Sequence, residues 1–393
     1  MKVQDLTRDL KFRHSRRPHV RSNASILHFK DNIYYMVYRL WVLHRGNVGG
    51  RGDTPLPWKH TFHASEYTGT VFTVLRRTKS GSFVVVSEKI VNTKRDKENI
   101  DIEDARLLRM PNGSIGLSFN TYARQPDTDG WRRELIEDCT GEEHGCTLMA
   151  LSKLNVKHKS ATISKPSFPC NNLKRTYPIL NGGRCFEGQR EEKNWLFFKV
   201  PGSSKLHVQY FFEPLQIFKL DLKSQNCSAI KTISNPYIAK LKKELQIKFL
   251  GGAPPIRYSK HEFLGIGHLK YDRMKTKFLP NSVLRNKVLH YDKSCNPRKI
   301  GRLIYLSFFY TFKTGGKFEV LRLGNPFVPP KHGKSLLSFP MGITKVPKSD
   351  DFVVSYGEQD SFVKLLTCKT SEIENMLRPV KHWTPENYKP LVF

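Results

Sequence analysis

Short strands separated by turns recur along almost the whole length of this 393-residue chain. The pattern of Ala24 to Trp41 predicts two strands around a Lys30-Asp31-Asn32 turn, and Val71 to Val91 predicts a second hairpin. Ile102 to Tyr122 predicts a third, because Pro111-Asn112-Gly113 supplies the positive φ angles that a tight turn needs. Apolar and polar residues alternate on both sides of these turns, which is typical of half-buried strands. A chain with this pattern is expected to fold into sheets.

Helical periodicity is rare in the same chain. Only Asn235 to Gln246 has clear helical spacing, and Ser371 to Leu377 predicts one further turn of helix. Recurring strands with almost no helix indicate a sandwich, a barrel or a propeller. Strand-rich units with polar or glycine-rich starts recur near residues 23, 102, 192, 251 and 339, and a propeller repeats four-stranded blades in this way whereas a sandwich does not. We therefore predict an all-β fold, a five-bladed β-propeller with short helical insertions.

The division into domains follows from the same units. Residues 1–20 are basic and lack any period, so they predict a loose N-terminal arm. Residues 21–370 are predicted to form a single propeller domain, and residues 371–393 a C-terminal extension.

The charge of the chain is strongly positive, with 66 Lys and Arg against 35 Asp and Glu, a net charge of +31. Such an excess favours polyanions, anionic membranes or phosphate-bearing small molecules as partners. The basic residues are spread along the chain, and neither a zinc-finger spacing nor a basic region followed by heptads is present. The sequence therefore predicts no specific nucleic-acid partner.

Cysteine spacing and motifs give no indication of a metal or cofactor. The seven cysteines form no CxxC pair, which argues against a structural zinc site and gives no support to a full disulfide framework, although Cys139 and Cys146 could bridge a small loop if the protein is secreted. Neither a GxGxxG nor a P-loop pattern occurs. No apolar stretch approaches 18 residues, so we expect no transmembrane segment, and the compartment stays open.

Polar and charged residues stand at the start of each predicted unit, where the innermost strands of a propeller converge on one funnel. A funnel lined by acids, amides and cations suits a polyhydroxylated ligand, and glycoside chemistry needs at least one carboxylic acid. Other interpretations remain open for single residues: a surface ion pair for Asp104 with Arg106, a solvated strand end for Lys193, a core histidine for His268, and a turn residue for Asp360. The candidates are Asn23 with Arg39; Glu103, Asp104 and Arg106 with Asn120; Glu192, Lys193 and Asn194; Arg257 and His268; and Glu358 with Asp360.

Several stretches resemble, in sequence order, the β-mannoside phosphorylases and the related β-1,2-mannosyltransferases, which are five-bladed propellers. The resemblance runs from about Asn23 to Leu366. It is carried by a hairpin ending in Tyr38-Arg39, by Glu103-Asp104-Ala105-Arg106, by Glu192-Lys193-Asn194 before Trp195-Leu196-Phe197, by Gly251-Gly252-Ala253-Pro254-Pro255-Ile256 with His268 after it, and by Phe339-Pro340-Met341-Gly342 and Tyr356-Gly357-Glu358-Gln359-Asp360.

This resemblance implies a role for individual residues. Asp104 matches the catalytic acid of the family, which works in an inverting displacement, and Asp360 matches a carboxylate that holds the sugar. Arg39, Arg106 and Lys193 match basic residues of the pocket. Where the phosphorylases usually carry a His-Arg pair that grips phosphate, this chain has Gln209-Tyr210-Phe211.

The sequence therefore predicts a glycosyltransferase that moves a mannosyl or similar residue, in β-linkage, from a nucleotide sugar or sugar phosphate to an oligosaccharide or glycan acceptor. Asp104 is the predicted acid/base, and Arg39, Glu103, Arg106, Asn120, Lys193, Asn194, Arg257, His268, Glu358 and Asp360 are the predicted substrate-binding residues. An inverting β-mannoside phosphorylase or a glycoside hydrolase is the alternative activity, and a non-catalytic glycan-binding propeller is the alternative of another class.

Overall fold

The computed structural model describes residues 1–12, 19–43, 65–93, 102–123, 146–158, 160–170, 195–272, 303–315, 318–329, 338–358 and 362–392. Strands dominate these residues, which confirms the prediction of a mainly β fold. In chain order the strands are β1 (Lys2–Asp5), β2 (His19–Lys30), β3 (Ile33–Leu43), β4 (Ser65–Arg77), β5 (Phe83–Thr93), β6 (Glu103–Arg109), β7 (Ile115–Ala123), β8 (Cys146–Val156), β9 (Ala161–Ile163), β10 (Leu196–Lys199), β11 (Leu206–Phe211), β12 (Leu215–Leu220), β13 (Cys227–Ile233), β14 (Lys248–Arg257), β15 (Glu262–Asp272), β16 (Leu303–Lys313), β17 (Val320–Gly324), β18 (Phe327–Val328), β19 (Ser338–Lys345), β20 (Asp351–Glu358), β21 (Phe362–Lys369), β22 (Leu377–Pro379) and β23 (Leu391–Val392).

The described residues also include two α-helices, α1 (Pro236–Glu244) and α2 (Thr370–Met376). Both lie where the sequence predicts helix. Asn235 caps α1, because its side-chain oxygen accepts from the backbone N–H groups of Tyr237 and Ile238, and proline stands at the first helical position. Neither helix has the length and apolar character of a membrane span.

The strands form groups of four that follow the chain. Antiparallel pairing runs β2-β3-β4-β5, then β6-β7-β8-β9, with β5 and β9 joined in parallel. Two further groups are β10-β11-β12-β13 and β14-β15-β16-β17, the latter extended by β22. The last group is β19-β20-β21 completed by β1 from the start of the chain. These groups lie within the strand-rich units of the sequence.

The first strands of these groups surround a common centre. β2 contacts β6, β6 contacts β10, β10 contacts β14, β14 contacts β19, and β19 contacts β2, so the series closes on itself. Their spacing depends on glycine: a Cβ on Gly342 would lie 2.4 Å from the backbone N of Ile26, and one on Gly252 would lie 2.7 Å from Pro340 Cγ. The apolar core lies between neighbouring sheets, as in the cluster around Phe212, Phe308 and Tyr310.

The N-terminal segment departs from the prediction of a loose arm. β1 pairs with β21 along Lys2–Asp5, and the side chains of Leu6 and Leu10 are buried beside the first and last sheets. Residues 1–12 therefore complete a sheet. β1 covers the otherwise open edge of β21, and the side chains of Leu6 and Leu10 are buried in the same segment. Residues 13–18, the rest of the basic stretch, lie outside the described residues.

The C-terminal segment also packs against the sheets. β22 pairs with β17 and β23 pairs with β18, while Trp383 and Tyr388 are buried. A disulfide that the sequence did not predict joins Cys170 to Cys227. Cys139, the candidate partner of Cys146, lies outside the described residues.

Truncating Leu6 tests whether the N-terminal segment is part of the folded core. Leu6→Ala should lower the free energy of unfolding by about 2 to 5 kcal/mol, because it leaves a cavity at a fully buried site. Val86→Ala, at a side chain that is 54% exposed, is the matched control and should change it by less than about 0.5 kcal/mol. Urea unfolding measures both, and equal small effects would show that the segment is not anchored.

Candidate functional site

Two residues of neighbouring inner strands, Asn23 and Asp104, share an unusual backbone conformation. Each has φ of +50°, and each lies where the strand register shifts, β2 against β3 and β6 against β7. Asn23 Nδ2 donates a hydrogen bond of 2.8 Å to Asp104 Oδ1. Asn and Asp tolerate positive φ better than other non-glycine residues, and such strain concentrates at functional sites. The two bulges therefore aim two polar side chains at each other.

Arg39 of β3 connects this pair to Glu103. Its Nη1 donates to Glu103 Oε1 at 2.9 Å and lies 3.6 Å from Asp104 Oδ1. The guanidinium stacks on the Trp41 ring, with Cζ 3.7 Å from the ring centroid. Arg39 and Glu103 are buried, so removing either side chain would leave an uncompensated charge in the interior.

The carboxylate of Asp104 is bound through one of its two oxygens. Both of its polar contacts, with Asn23 and Arg39, are made by Oδ1. Its side chain is 15% exposed, and Oδ2 makes no hydrogen bond within the described residues. A carboxylate held through one oxygen and open at the other can accept or donate a proton at a fixed place.

Arg106 supports Asp104 from the interior. Its Nε donates to the carbonyl of Gly252 at 2.9 Å, and its Nη1 donates to the carbonyl of Asp104 at 3.3 Å. The guanidinium lies 5.8 Å from the Phe339 ring centroid. Complete burial lowers the pKa of Arg106 to about 10, so it remains a cation at neutral pH. This cation ties β6 to β14 beneath the site.

His268 lies next to Arg106 and is also buried. Its ring packs on Phe339 at 4.7 Å and near Tyr305 at 5.2 Å between centroids. Burial, together with the nearby positive charges of Arg106 and Lys270, lowers the pKa of His268 to about 3. The imidazole is therefore neutral at physiological pH.

Asn120 and Glu358 complete the group of predicted residues near the centre. Asn120 lies opposite Glu103 in the sheet and is fully buried, and neither of its amide atoms has a hydrogen-bond partner in the part of the chain that the structure describes. Glu358 is buried and forms an ion pair with Lys364. The residue before it, Gly357, packs against Asn23.

Arg257 does not join this group. It is exposed at the last position of β14, five residues beyond Gly252, and its Nε donates to the carbonyl of Ser259 at 3.4 Å. At about 3.3 Å per residue, this puts it roughly 17 Å along the strand from the carbonyl that binds Arg106. The expectation that Arg257 shares a pocket with Asp104 is therefore not supported by its position.

Four candidate residues, Glu192, Lys193, Asn194 and Asp360, lie outside the described residues. The sequence interpretation also passed over Trp41, although it stands two residues after Arg39 in the same strand and so on the same face. The two-residue spacing between Arg39 and Trp41 could have indicated from the sequence that Trp41 lies beside Arg39. Among the described residues no group of His, Cys, Asp and Glu side chains has the makings of a metal site.

Adding a methyl group to Gly357 tests the packing that locates Asn23. A Cβ there would lie 2.2 Å from Asn23 Oδ1 and 2.9 Å from its backbone N. Gly357→Ala should therefore lower the free energy of unfolding by about 1 to 3 kcal/mol. In Gly324→Ala, the control, the nearest atom would be 3.1 Å away, and chemical denaturation should show a smaller loss. A loss in Gly357→Ala no larger than in the control would contradict the close packing.

The pH dependence of stability tests the buried state of His268. A histidine in the unfolded chain titrates near pH 6.5, so the unfolded state binds the proton more readily and the folded state loses stability as pH falls below about 6.5. Between pH 6.5 and 5 the wild type should lose up to about 1.4 kcal/mol per pH unit more than His268→Gln. His207, whose pKa burial lowers to about 4, is present in both proteins. Parallel denaturation profiles would show that His268 is not held neutral.

Comparison with known proteins bears on the fold. No family model matches the chain, and no curated protein matches it by sequence. The solved structure of a β-1,2-mannobiose phosphorylase from Listeria innocua aligns with 96% of this chain and 99% of its own, at 12% identity and a TM-score of 0.50. A GDP-Man-dependent mannosyltransferase from Leishmania mexicana aligns at 12% identity and a TM-score of 0.44, covering 89% of this chain and 85% of that one.

A mannose phosphorylase from Leishmania mexicana, solved with a phosphate ion, aligns at 10% identity and a TM-score of 0.42, covering 91% of this chain and 86% of that one. At these identities the likeness is one of fold. The chain thus has the fold of the Listeria phosphorylase along nearly its whole length, which confirms the resemblance drawn from its motifs at the level of architecture.

Proposed function

We propose that the chain is a five-bladed β-propeller glycosyltransferase, in which Asp104 moves the proton as a mannosyl or similar residue passes, in β-linkage, from an activated donor to a glycan acceptor. The observation that carries the proposal is the contact of Asn23 with Asp104 Oδ1, at two bulged residues with positive φ. The fold itself does not require such a pair, whereas a side chain that transfers a proton must be held in a fixed orientation.

The strand groups support the proposal of five blades. Each group of four begins with one of the central strands β2, β6, β10, β14 and β19, whose contacts form a closed cycle. The last group contains β1 beside β21, so the first and last segments of the chain share one sheet. This closure is a device that removes the open edge of a circular arrangement.

The proposed chemistry is a single displacement with inversion. An acceptor hydroxyl attacks the anomeric carbon of the donor sugar, and its proton passes to Asp104 Oδ2 as the new C–O bond forms. The bond to the donor phosphate breaks, and the phosphate leaves with the electron pair. In the reverse direction Asp104 returns the proton to the glycosidic oxygen, as a general acid.

The remaining predicted residues take two kinds of role in this proposal. Arg39 and Glu103, with Lys193, Asn194 and Asp360 outside the described residues, would bind sugar hydroxyls or the donor phosphate. Arg106, His268, Asn120 and Glu358 are fully buried in this structure, so they would support the binding residues from beneath. We leave Arg257 out of the site because of its position on β14.

The residues at the phosphate-gripping position favour a transferase over a phosphorylase. Gln209 is buried and accepts a hydrogen bond of 2.8 Å from the Tyr310 hydroxyl. Tyr210 packs on Trp195 at 5.1 Å. Neither of these side chains nor Phe211 is a cation, and free phosphate binds best to charged donors, whose hydrogen bonds are worth about 1.5 to 3 kcal/mol each. In a nucleotide sugar the phosphate is covalently attached to the donor, so the protein does not need to bind it as a free anion.

Replacing Asp104 tests the catalytic proposal. Asp104→Asn should lower sugar transfer by at least about a hundredfold, because an amide cannot take the proton at pH 7. Asp31→Asn is the matched control: Asp31 has φ of +48° at an exposed turn, so the change is chemically the same and leaves the site untouched. Transfer from GDP-mannose and other nucleotide sugars to β-mannosyl acceptors, followed by release of the nucleotide, is the measurement. Full activity in Asp104→Asn would remove the catalytic role.

The same assay separates the alternatives. Sugar phosphate formed only from oligomannoside and inorganic phosphate would identify a phosphorylase, and reducing sugar formed in water alone would identify a hydrolase. Sugar binding that persists in Asp104→Asn, with no turnover in either protein, would identify a glycan-binding propeller. Each of these results would overturn the transferase proposal.

A further inference from the structure

The central strands share a further feature at the end opposite to Asp104. All five end in a basic residue: β2 in Lys30, β6 in Arg109, β10 in Lys199, β14 in Arg257 and β19 in Lys345. Four of these side chains are exposed, and that of Arg109 is half-buried. We refer to them as the basic ring.

Contacts between neighbouring groups place these strand ends at one level. Arg109 Nη2 donates to the carbonyls of His28 and Phe29, at 3.0 and 2.6 Å, beside the end of β2. Lys199 Nζ donates at 3.2 Å to the carbonyl of Pro111, in the turn that follows β6. The first three members of the ring are therefore adjacent in space.

The other two members are connected in the same way. Tyr258, which follows Arg257, packs on Phe352 with ring centroids 5.7 Å apart. Lys345 lies over the same Phe352 ring, with Nζ 5.8 Å from its centroid. Because β19 and β2 are direct neighbours, the series returns to Lys30. The five basic side chains thus surround the centre of the molecule at one end of the central strands.

The charge of the basic ring is not neutralised within the protein. None of its five members forms an ion pair in the part of the chain that the structure describes. Carboxylates at the same end are used elsewhere: Asp351 binds Arg77 at 2.7 Å, and Glu262 binds Arg322 at 2.6 Å.

The surrounding turns add to the positive charge of this end. Basic side chains are exposed in or beside the hairpin turns there, at Lys79, Lys223, Lys260, Lys313 and Lys348. The carboxylates of these turns without an ion pair among the described residues are Asp31, Glu319 and Asp350. Cations therefore outnumber unpaired carboxylates over a wide surface.

We propose that this end of the molecule binds an anionic membrane surface, with the basic ring at the centre of the contact. The cations are dispersed over the whole end of the sheets, which suits a planar array of negative headgroups; a small anion needs donors that converge on one point. Binding to single-stranded nucleic acid generally uses exposed aromatic platforms, and the large exposed apolar side chains among the described residues are Val84, Val86 and Tyr237, none of them in the ring. This inference does not rest on the proposed sugar transfer.

Vesicle sedimentation with the full chain tests the inference. The protein should bind vesicles of phosphatidylcholine with phosphatidylserine, should not bind phosphatidylcholine alone, and should be released by salt. A variant with Lys30→Gln, Lys199→Gln and Lys345→Gln should bind about a hundredfold more weakly, since each basic residue near such a surface contributes about fivefold.

The control variant removes the same charge elsewhere. Lys240→Gln and Lys243→Gln on α1, which leads into the start of β14, are combined with Lys381→Gln in the neighbouring turn. This variant should bind within about tenfold of the wild type, because its charges face away from the membrane. Equal losses in the two variants would show a general charge effect and overturn the inference. Absence of vesicle binding, or salt-sensitive binding to duplex DNA with none to vesicles, would overturn it as well.

Discussion

The buried guanidinium of Arg106 is the interaction on which the centre of this structure depends. A cation with no exposed surface is costly unless its donors are satisfied, and Arg106 meets that cost with the carbonyls of Gly252 and Asp104 and with the ring of Phe339. These partners belong to β14, β6 and β19. One side chain therefore contacts three central strands, and glycine at position 252 lets the backbone of β14 approach Pro340 of β19 beside it.

The same interaction explains the geometry of Asp104. Its carbonyl accepts a hydrogen bond from Arg106 while its side chain accepts one from Asn23, so both groups must be oriented at once. The bulge between Glu103 and Arg106 reconciles the two demands at the expense of a positive φ. The strain is then offset by the contacts with Arg106, Asn23 and Arg39, so the carboxylate is positioned before any ligand arrives.

Local pattern was enough to predict the strands and both helices, because hairpin turns and the α1 cap are encoded by adjacent residues such as Pro111-Asn112-Gly113 and Asn235. The position of β1 was not predictable in this way. β1 has only four residues, and its partner β21 lies more than 350 residues away, so only the closed arrangement of the sheets reveals the pairing. The motifs singled out Arg39, Glu103, Asp104 and Arg106, which are in contact in the structure. Arg257 lies apart from them, because a motif specifies a strand but not how far along it a side chain lies.

Positive charge lies at both ends of the central strands, with Arg39 and Arg106 near Asp104 and the basic ring at the opposite end. The distance between the two ends decides whether these charges influence each other. Asp104 and Arg109 stand on the same strand, five residues and about 17 Å apart at roughly 3.3 Å per residue. This separation exceeds the Debye length of about 8 Å at physiological ionic strength. The electrostatics of the site are thus set by Arg39 and Arg106 nearby, whereas the basic ring acts on what approaches the opposite end. A partner held at the ring would leave the Asp104 end open to solvent, so the two ends can act independently.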